Sequence, residues 1–453
     1  MAIDQAVGQY AAFLSYTHLL TSEEAMDFSP ATLTLIVLGV MAVFFVTELV
    51  PLAVTAISGA IALGILQVLT PAQVFSGLSN STVVLFAGMF VIGTAMFETG
   101  LAQKIGIRVV RIFGTGETSL MLGTMVVAAL LSSVSSNTGT TAALMPVVIG
   151  ICAAAKVSPT RQLMPLAFAA GAGGTITLVG TPPNIIGSGA LGAAGLKPFG
   201  FFEFAYIGIP VTIVAILYMM FIGKHLLPKA HENIDDVLQE AKKQEAEEDA
   251  RVYDNRKMWI TGLTLIGVVV VMALDIKRIP LEMAAVLGAI ILVLTGCLTE
   301  KQAYRGIDWV TIFLFAGMMP VATALDKSGA GKIIADQVIA FLGEAPSPYL
   351  LCAVLFALSA GLTQFMSNTA AAALLCPIGL SIAHGIDASP QAVVMAICIA
   401  ASCAFATPVG TPPNTLVLGA GNYRFMDYVK AGTLLVVLEG IVCVILIPLI
   451  WPF

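Results

Sequence analysis

The chain contains two copies of one sequence pattern, and this duplication constrains its fold more than any other feature. The copies share three motifs in the same order, at offsets of 229, 231 and 230 residues. The motifs are Leu-Phe-Ala-Gly-Met at Leu85–Met89 and Leu314–Met318, Ser-Asn-Thr at Ser136–Thr138 and Ser367–Thr369, and Gly-Thr-Pro-Pro-Asn at Gly180–Asn184 and Gly410–Asn414. Matches in one order at nearly one spacing predict two structurally equivalent units.

Both copies are too apolar for a water-soluble protein. In this chain of 453 residues, 58% are hydrophobic and 11% are charged, which leaves too little polar surface for a globule of that size. Apolar blocks such as Ala31–Val46 and Gly432–Ile450 approach the roughly 20 residues that span a bilayer as a helix. The first Lys or Arg is Lys104, so we expect no removable signal peptide. The composition therefore predicts an all-α, multi-pass membrane protein.

Each copy has the same order of segments: three spanning segments, a hydroxyl-rich region between apolar arms, a segment interrupted by Gly-Thr-Pro-Pro-Asn, and a final spanning segment. In the first copy these lie at about 31–49, 50–68, 83–101, 120–155, 162–190 and 203–223, and in the second at about 258–274, 279–296, 309–326, 349–384, 391–420 and 432–451. We therefore divide the chain into an N-terminal segment (1–30), a first repeat (31–223), a charged cytoplasmic linker (224–257) and a second repeat (258–453). The N-terminal segment is either an interfacial helix or an extra transmembrane helix.

The hydroxyl-rich region predicts a re-entrant helical hairpin. Its first arm, Met121–Leu131, has 11 residues, which as helix reach only about half of the hydrocarbon thickness. If the hairpin does not cross, each repeat crosses the membrane five times, and the odd number inverts the second repeat relative to the first. With the linker in the cytoplasm, 16 of the 21 Lys and Arg residues lie inside, as the positive-inside rule requires.

The paired prolines Pro182–Pro183 and Pro412–Pro413 break the segments that contain them, since proline lacks an N–H and clashes with the preceding turn. Freed backbone groups are tolerated inside a membrane only where they are buried in protein or line a polar cavity. Two breaks and two hydroxyl-rich hairpin tips can therefore converge near the midplane. Such a site suits ions, because helix N-termini receive an anion while carbonyl and hydroxyl oxygens coordinate a hard cation.

Other sites are poorly supported by the sequence. The seven cysteines and four histidines show no Cys-x-x-Cys pair and no spacing typical of metal ligands. No nucleophile and base are paired within the apolar segments, so we expect no enzyme activity and no cofactor. Nothing in the charge distribution favours nucleic acid as a partner.

The paired Ser-Asn-Thr and Thr-Pro-Pro-Asn motifs resemble those of the divalent anion/sodium symporter family, also called the SLC13 or INDY family. The resemblance covers the chain from about residue 31. It implies sodium-coupled symport of C4-dicarboxylates such as succinate, malate and fumarate. It also implies a homodimer in the plasma or inner membrane that works by an elevator motion, in which a transport domain moves against a scaffold.

The resemblance also implies site residues. The first sodium site would use Ser132, Ser136, Asn137 and the backbone of Gly180, and the second Thr363, Ser367, Asn368 and the backbone of Gly410. The substrate would contact Asn137, Thr138, Thr181, Ser367, Asn368, Thr369, Thr411 and Pro412. No Lys or Arg lies within ten residues of either Ser-Asn-Thr, so neutral donors, helix dipoles and bound sodium would hold the anion.

Several alternatives remain open at this point. A sodium-independent dicarboxylate exchanger, or a carrier of sulfate or citrate, would be consistent with the same fold and motifs. An ion channel is more remote, because neither hairpin tip contains a repeated carbonyl filter or a ring of charges. Membrane-region acids could instead carry protons: Glu48, Glu98, Glu282, Asp326 and Glu439.

Overall fold

The computed structural model describes residues 28–114, 116–155, 157–228, 253–274, 276, 278–342 and 347–452. Within these residues the secondary structure is entirely helical, as the composition predicted. The predicted N-terminal segment lies almost wholly outside the described residues. Most of the predicted linker, residues 229–252, lies outside them as well.

The described part of the first half contains nine longer helices, apart from short connecting turns. They are α1 (Pro30–Thr47), α2 (Leu52–Ile65), α3 (Ser81–Glu98), α4 (Leu101–Phe113), α5 (Glu117–Ser132), α6 (Asn137–Ala155), α7 (Leu163–Gly174), α8 (Pro182–Ala193) and α9 (Ala205–Leu226).

The second half repeats this order, so that each helix of the first half corresponds to the one numbered nine higher. These helices are α10 (Asn255–Ala273), α11 (Leu281–Leu294), α12 (Trp309–Ser328), α13 (Ala330–Leu342), α14 (Pro348–Leu362), α15 (Asn368–Gly385), α16 (Pro390–Ser402), α17 (Pro412–Ala420) and α18 (Phe425–Ile450).

Seven of the helices in the described residues are long and apolar enough to cross a membrane: α1, α3, α6, α9, α10, α12 and α18. The segments with paired prolines are broken, as predicted. Helix α7 ends at Gly174 and α8 begins at Pro182, while α16 ends at Ser402 and α17 begins at Pro412. Proline suits the first helical turn, where its missing N–H leaves no intrahelical bond unmade.

The two halves pack through symmetric crossings that explain the duplicated Leu-Phe-Ala-Gly-Met motif. Helix α3 packs against α11 of the other half, and α12 packs against α2. A Cβ atom on Gly88 would lie 2.7 Å from the backbone carbon of Ala285, and one on Gly317 would lie 2.6 Å from that of Ala56. The motif glycine therefore lets two helix backbones approach closely.

The broken helices also pack across the two halves. Helix α8 contacts the hairpin arm α15 and α16 of the second half, while α17 contacts α6 and α7 of the first half. Helices α5–α8 and α14–α17 thus form one interlocked group. This exchange places both hairpin tips and both breaks in the same region.

Three details differ from the predicted segments. The first hairpin arm, α5, has 16 residues and not 11, because the turn from Glu117 to Leu120 before the predicted arm and Ser132 after it are also helical. Helix α18 begins at Phe425, seven residues before the predicted boundary. Helices α4 and α13 were not predicted at all, since charged residues such as Lys104 interrupt the hydrophobicity of helices that are apolar on only one face.

Candidate functional site

The two hairpin tips, the two breaks and helix α3 enclose a cavity of about 500 Å³. All eight residues predicted to contact the substrate line it: Asn137, Thr138, Thr181, Ser367, Asn368, Thr369, Thr411 and Pro412. Of the predicted sodium ligands, Ser136 and Gly180 also reach its wall, whereas Ser132, Thr363 and Gly410 lie behind it. The fold therefore brings together residues that are up to 280 positions apart in the sequence.

The serine of each Ser-Asn-Thr motif caps a helix. Ser136 Oγ accepts a hydrogen bond from the Gly139 N–H (2.9 Å) at the start of α6. Ser367 Oγ accepts one from the Ala370 N–H (3.2 Å) at the start of α15. These bonds satisfy donors that the first helical turn leaves free. The structure thus gives both hydroxyls a helix-capping role. Their role as sodium ligands stays a prediction.

The last residue of each Gly-Thr-Pro-Pro-Asn motif closes the helix break. Asn184 Nδ2 donates to the carbonyl of Thr177 (2.8 Å), and Asn414 Nδ2 donates to the carbonyls of Ala404 (2.8 Å) and Thr407 (2.9 Å). Both asparagine side chains are fully buried. The amides thus satisfy carbonyls that the interrupted helices leave without an intrahelical partner.

A threonine in each break ties that break to the neighbouring hairpin tip. The Thr177 hydroxyl donates to the Ser133 carbonyl (2.5 Å), and the Thr407 hydroxyl donates to the Gln364 carbonyl (2.6 Å). The two bonds occupy equivalent positions in the two halves. Each hairpin tip is therefore held directly against the break of its own half.

Behind the first tip, the Asn137 amide lies within a cluster of oxygen atoms. One terminal atom of this amide lies 2.6 Å from Ser132 Oγ, 3.1 Å from the Gly180 carbonyl oxygen and 3.2 Å from the Ala170 carbonyl oxygen. Gly174 leaves space for the amide, since a Cβ atom there would lie 2.3 Å from Asn137 Oδ1. We call this group of oxygens the first oxygen cluster.

The second half contains the equivalent group, which we call the second oxygen cluster. One terminal atom of the Asn368 amide lies 2.8 Å from Thr363 Oγ1, 3.0 Å from the Gly410 carbonyl oxygen and 3.1 Å from the Ala401 carbonyl oxygen. The Thr363 hydroxyl also donates to the Ala401 carbonyl (2.7 Å). Sequence reasoning named Thr363, Asn368 and Gly410 in this cluster, but it missed the carbonyl of Ala401 here and that of Ala170 in the first cluster.

The orientation of these two amides depends on what each cluster holds. With the nitrogen turned inward, the amide donates to the surrounding carbonyls and hydroxyl. With the oxygen turned inward, the amide oxygen would face the hydroxyl and two carbonyl oxygens, and the contact with the carbonyls is unfavourable unless a cation lies between them. The groups around each amide are the oxygen donors that a hard monovalent cation takes, and sodium binding at both clusters stays a prediction.

Four helix N-termini meet at the cavity. The first residues of α6, α8, α15 and α17 line it: Asn137, Pro182, Asn368 and Pro412. Each N-terminus carries roughly half a positive charge from aligned peptide dipoles. Among the described residues, the lining has no Lys or Arg and one charged residue, Asp308, which caps α12 by accepting from the Thr311 N–H (3.2 Å). The site is thus electropositive through the backbone, as an anion site without a basic side chain requires.

One face of helix α3 lines the cavity beside the first tip, and sequence reasoning did not assign it to the site. This face consists of Phe86, Met89, Phe90, Gly93, Thr94 and Phe97. The residues recur at helical spacing directly after Leu85, at the Leu-Phe-Ala-Gly-Met motif. This helical periodicity is the feature of the sequence that could have indicated a cavity-lining face on α3. The anion would therefore meet both neutral donors and an aromatic wall.

Comparison with known proteins identifies a family. A family model described as a citrate transporter matches residues 42–392 and 368–453. The chain is similar to an uncharacterized transporter of Haemophilus influenzae, with 30% identity over 93% of this chain and 92% of that protein. It is also similar to the uncharacterized transporter YfbS of Escherichia coli, with 26% identity over 92% of this chain and 98% of that protein.

One similar protein carries a more specific name, and one solved structure shares the fold. The sodium-dependent dicarboxylate transporter SdcS of Staphylococcus saprophyticus is 28% identical over 91% of this chain and 84% of its own length. The crystal structure of the YdaH transporter of Alcanivorax borkumensis superposes with a TM-score of 0.62 at 15% identity. The match covers 93% of this chain and 98% of that one, so the two share the same overall fold.

Proposed function

The chain belongs to the citrate transporter family, and we propose that it is a sodium-coupled symporter of C4-dicarboxylates such as succinate, malate and fumarate. Family membership makes it a multi-pass membrane transporter. The sodium-dependent dicarboxylate transporter SdcS, which it resembles along most of its length, supports the finer assignment. The observation that carries the proposal is a pair of matched oxygen clusters on either side of one electropositive cavity.

In this proposal the substrate carboxylates bind at the two tips. One carboxylate contacts Asn137, Thr138 and Thr181, and the other contacts Ser367, Asn368, Thr369, Thr411 and Pro412. A C4-dicarboxylate suits two equivalent half-sites, because each half contributes two helix N-termini. The sodium ions bind in the two oxygen clusters directly behind these contacts.

Coupling follows from the charge of the site. Without a basic side chain in the lining, a dianion is held strongly only after cations have entered the oxygen clusters. Bringing a dianion into a cell at −100 mV costs about 4.6 kcal/mol, from about 2.3 kcal/mol per charge. Two sodium ions in the two clusters only cancel the charge of a dianion, so at least one further cation, bound outside the clusters, must accompany it if the membrane potential is to drive uptake.

The halves differ in a way that supports an elevator motion. In the first half, the α3 face with Gly93, Thr94 and Phe97 opens on the large cavity. In the second half, the equivalent α12 face is closed against α15, leaving a space of about 10 Å³ beside Ala322 and Thr323. We propose that α5–α8 and α14–α17 move against α1–α3 and α10–α12, so that the closed face opens on the opposite side of the membrane. The homodimer and the plasma or inner membrane location stay predictions from the family resemblance.

Reconstituted protein tests this proposal. Proteoliposomes should accumulate labelled succinate when an inward sodium gradient is applied, and a negative interior potential should increase the rate. A potassium gradient of equal size is the control. Equal uptake in both, with exchange against preloaded succinate, would instead identify a sodium-independent exchanger.

Citrate is the second candidate substrate, since the matching family model is named for it and the cavity of about 500 Å³ leaves room beyond a C4 acid. Competition of labelled succinate uptake by unlabelled citrate, malate, fumarate and sulfate would rank the candidates. Inhibition by citrate alone would favour the second assignment.

A further inference from the structure

The first hairpin tip presents a hydroxyl to the cavity that neither helix capping nor the oxygen clusters use. Ser135 lines the cavity, its side chain is 4% exposed, and its Oγ has no hydrogen-bond partner among the described residues. The neighbouring serines are already bonded, since the Ser133 hydroxyl donates to the Leu130 carbonyl (2.8 Å) and Ser136 caps α6. A buried hydroxyl without a partner loses free energy that a bound polar group would restore.

The residue of α3 that lies next to this hydroxyl is a glycine. A Cβ atom on Gly93 of α3 would lie 3.6 Å from Ser135 Oγ, and both residues line the cavity. An alanine at this position would therefore fit without a clash, but its methyl group would occupy the space beside the hydroxyl. We call the space between Gly93 and Ser135 the polar notch.

The second half fills the equivalent space with side chains. The positions that correspond to Gly93 and Ser135 hold Ala322 and Met366. Met366 is almost fully buried and does not line the cavity. The notch therefore belongs to one end of an otherwise duplicated site, and it can distinguish the two ends of a bound substrate.

The surroundings of the notch suit a neutral hydroxyl better than another carboxylate. The part of the chain that the structure describes contributes no basic side chain to the lining, and the carboxylate of Asp308 would repel an additional anionic group. A serine hydroxyl can both donate to and accept from a substrate hydroxyl. Ser135 lies two residues before Asn137, so a hydroxyl close to the carboxylate bound at the first tip would reach it.

We propose that Ser135 is a specificity residue that hydrogen-bonds a hydroxyl group of the substrate, so that the transporter prefers 2-hydroxydicarboxylates to unsubstituted ones. This inference rests on the proposed function. A site with a polar group placed for a substrate hydroxyl disfavours the analogue that lacks it, because the polar group is then left unpaired. Malate and succinate differ by one such hydroxyl, so they form a matched pair of probes.

Sodium-driven uptake of malate and succinate into proteoliposomes tests the role of Ser135. The ratio of kcat/KM for malate to that for succinate should fall about 5–10-fold in Ser135→Ala, which is the effect of one lost neutral hydrogen bond. Retained succinate uptake shows that the variant is folded. Ser133→Ala is the matched control, because its hydroxyl is already bonded within the tip, and it should keep the wild-type ratio.

Gly93→Ala tests the same notch from the opposite wall. Its methyl group should lower the ratio in the same direction while Ser135 is still present. A wild-type ratio in both Ser135→Ala and Gly93→Ala, or an equal loss of both substrates in both variants, would overturn the assignment while leaving the proposed function intact. Wild-type protein that takes up neither acid with sodium would overturn the proposed function and this inference with it.

Discussion

Asn137 and Asn368 illustrate how much of the site depends on single side chains. Each amide lies between a hydroxyl and two backbone carbonyls, and each residue also begins a helix whose N-terminus lines the cavity. In the proposed function one side chain therefore contacts both the cation and the anion. We therefore expect that no other described side chain replaces the amide when either asparagine is changed to alanine.

We expect Asn137→Ala and Asn368→Ala each to reduce sodium-driven succinate uptake to background, because each loses the amide of one oxygen cluster. Size-exclusion chromatography in detergent should still show a folded protein of wild-type size. Uptake at the wild-type rate in both variants would remove the site assignment.

Gly174→Ala should impair transport although it replaces none of the predicted ligands. A Cβ atom at Gly174 would lie 2.3 Å from Asn137 Oδ1, so the amide must leave its place in the first oxygen cluster. The expected result is a several-fold increase in the sodium concentration needed for half-maximal uptake. Gly361→Ala is the control, since a Cβ atom at this position of α14 meets nothing within 4 Å. An unchanged sodium dependence in Gly174→Ala would argue against sodium at this cluster.

At the scale of the elements, the two broken helices are stabilised by the last residue of their own motif. Asn184 and Asn414 are fully buried, and their amides donate to carbonyls that the breaks leave free. The motif thus combines two prolines that interrupt a helix with an asparagine that donates hydrogen bonds to the carbonyls freed by the interruption. This explains why the two prolines and the asparagine recur together.

Asn184→Ala should lower protein stability more than it changes sodium dependence. Removing a partner from a buried carbonyl costs about 1–3 kcal/mol, which should appear as a lower midpoint of thermal unfolding in detergent. Asn414→Ala should behave in the same way. A variant with wild-type stability but altered sodium dependence would contradict this structural role.

The helix crossings at Gly88 and Gly317 form a second set of close contacts between elements. We expect Gly88→Ala to destabilise the protein by about 1–3 kcal/mol, because its methyl group would meet the backbone of α11. Gly267→Ala in α10 is the control, since a Cβ atom there meets nothing within 4 Å. The thermal unfolding midpoints of the two variants should be measured in the same detergent. Equal midpoints would exclude a tight helix crossing at Gly88.

For the whole molecule, the proposed motion requires α8 to move relative to α3. A Cβ atom on Gly189 of α8 would lie 3.2 Å from Thr82 Cγ2 at the start of α3, and the Phe315 ring, whose Cζ would lie 2.2 Å away, must shift to admit it. Cross-linking of the double variant Thr82→Cys/Gly189→Cys should therefore abolish sodium-driven uptake, and a reductant should restore it. The single variants under the same oxidation are the controls. Full uptake by completely cross-linked protein would exclude relative motion of these two helices.

The sequence by itself determined the helical membrane fold, the two equivalent units and the helix breaks, and its resemblance to a known family pointed to the tip and break residues that line the cavity. These features could be predicted because hydrophobic block length, paired prolines and duplicated motifs are properties of local sequence. Helices α4 and α13 were not predicted because each is apolar on one face only. The hydropathy averaged along such a helix is too low to indicate a spanning segment.

Only the tertiary structure decided which groups surround the predicted residues. The carbonyls of Ala170 and Ala401 complete the oxygen clusters, but a backbone carbonyl is present in every residue and leaves no mark in the sequence. Likewise, the sequence does not distinguish the roles of three neighbouring serines. In the fold, Ser133 bonds a nearby backbone carbonyl, Ser135 lines the cavity and Ser136 caps a helix. The physical reason is that a side chain's role depends on what packs against it, and here those partners come from segments distant in the chain.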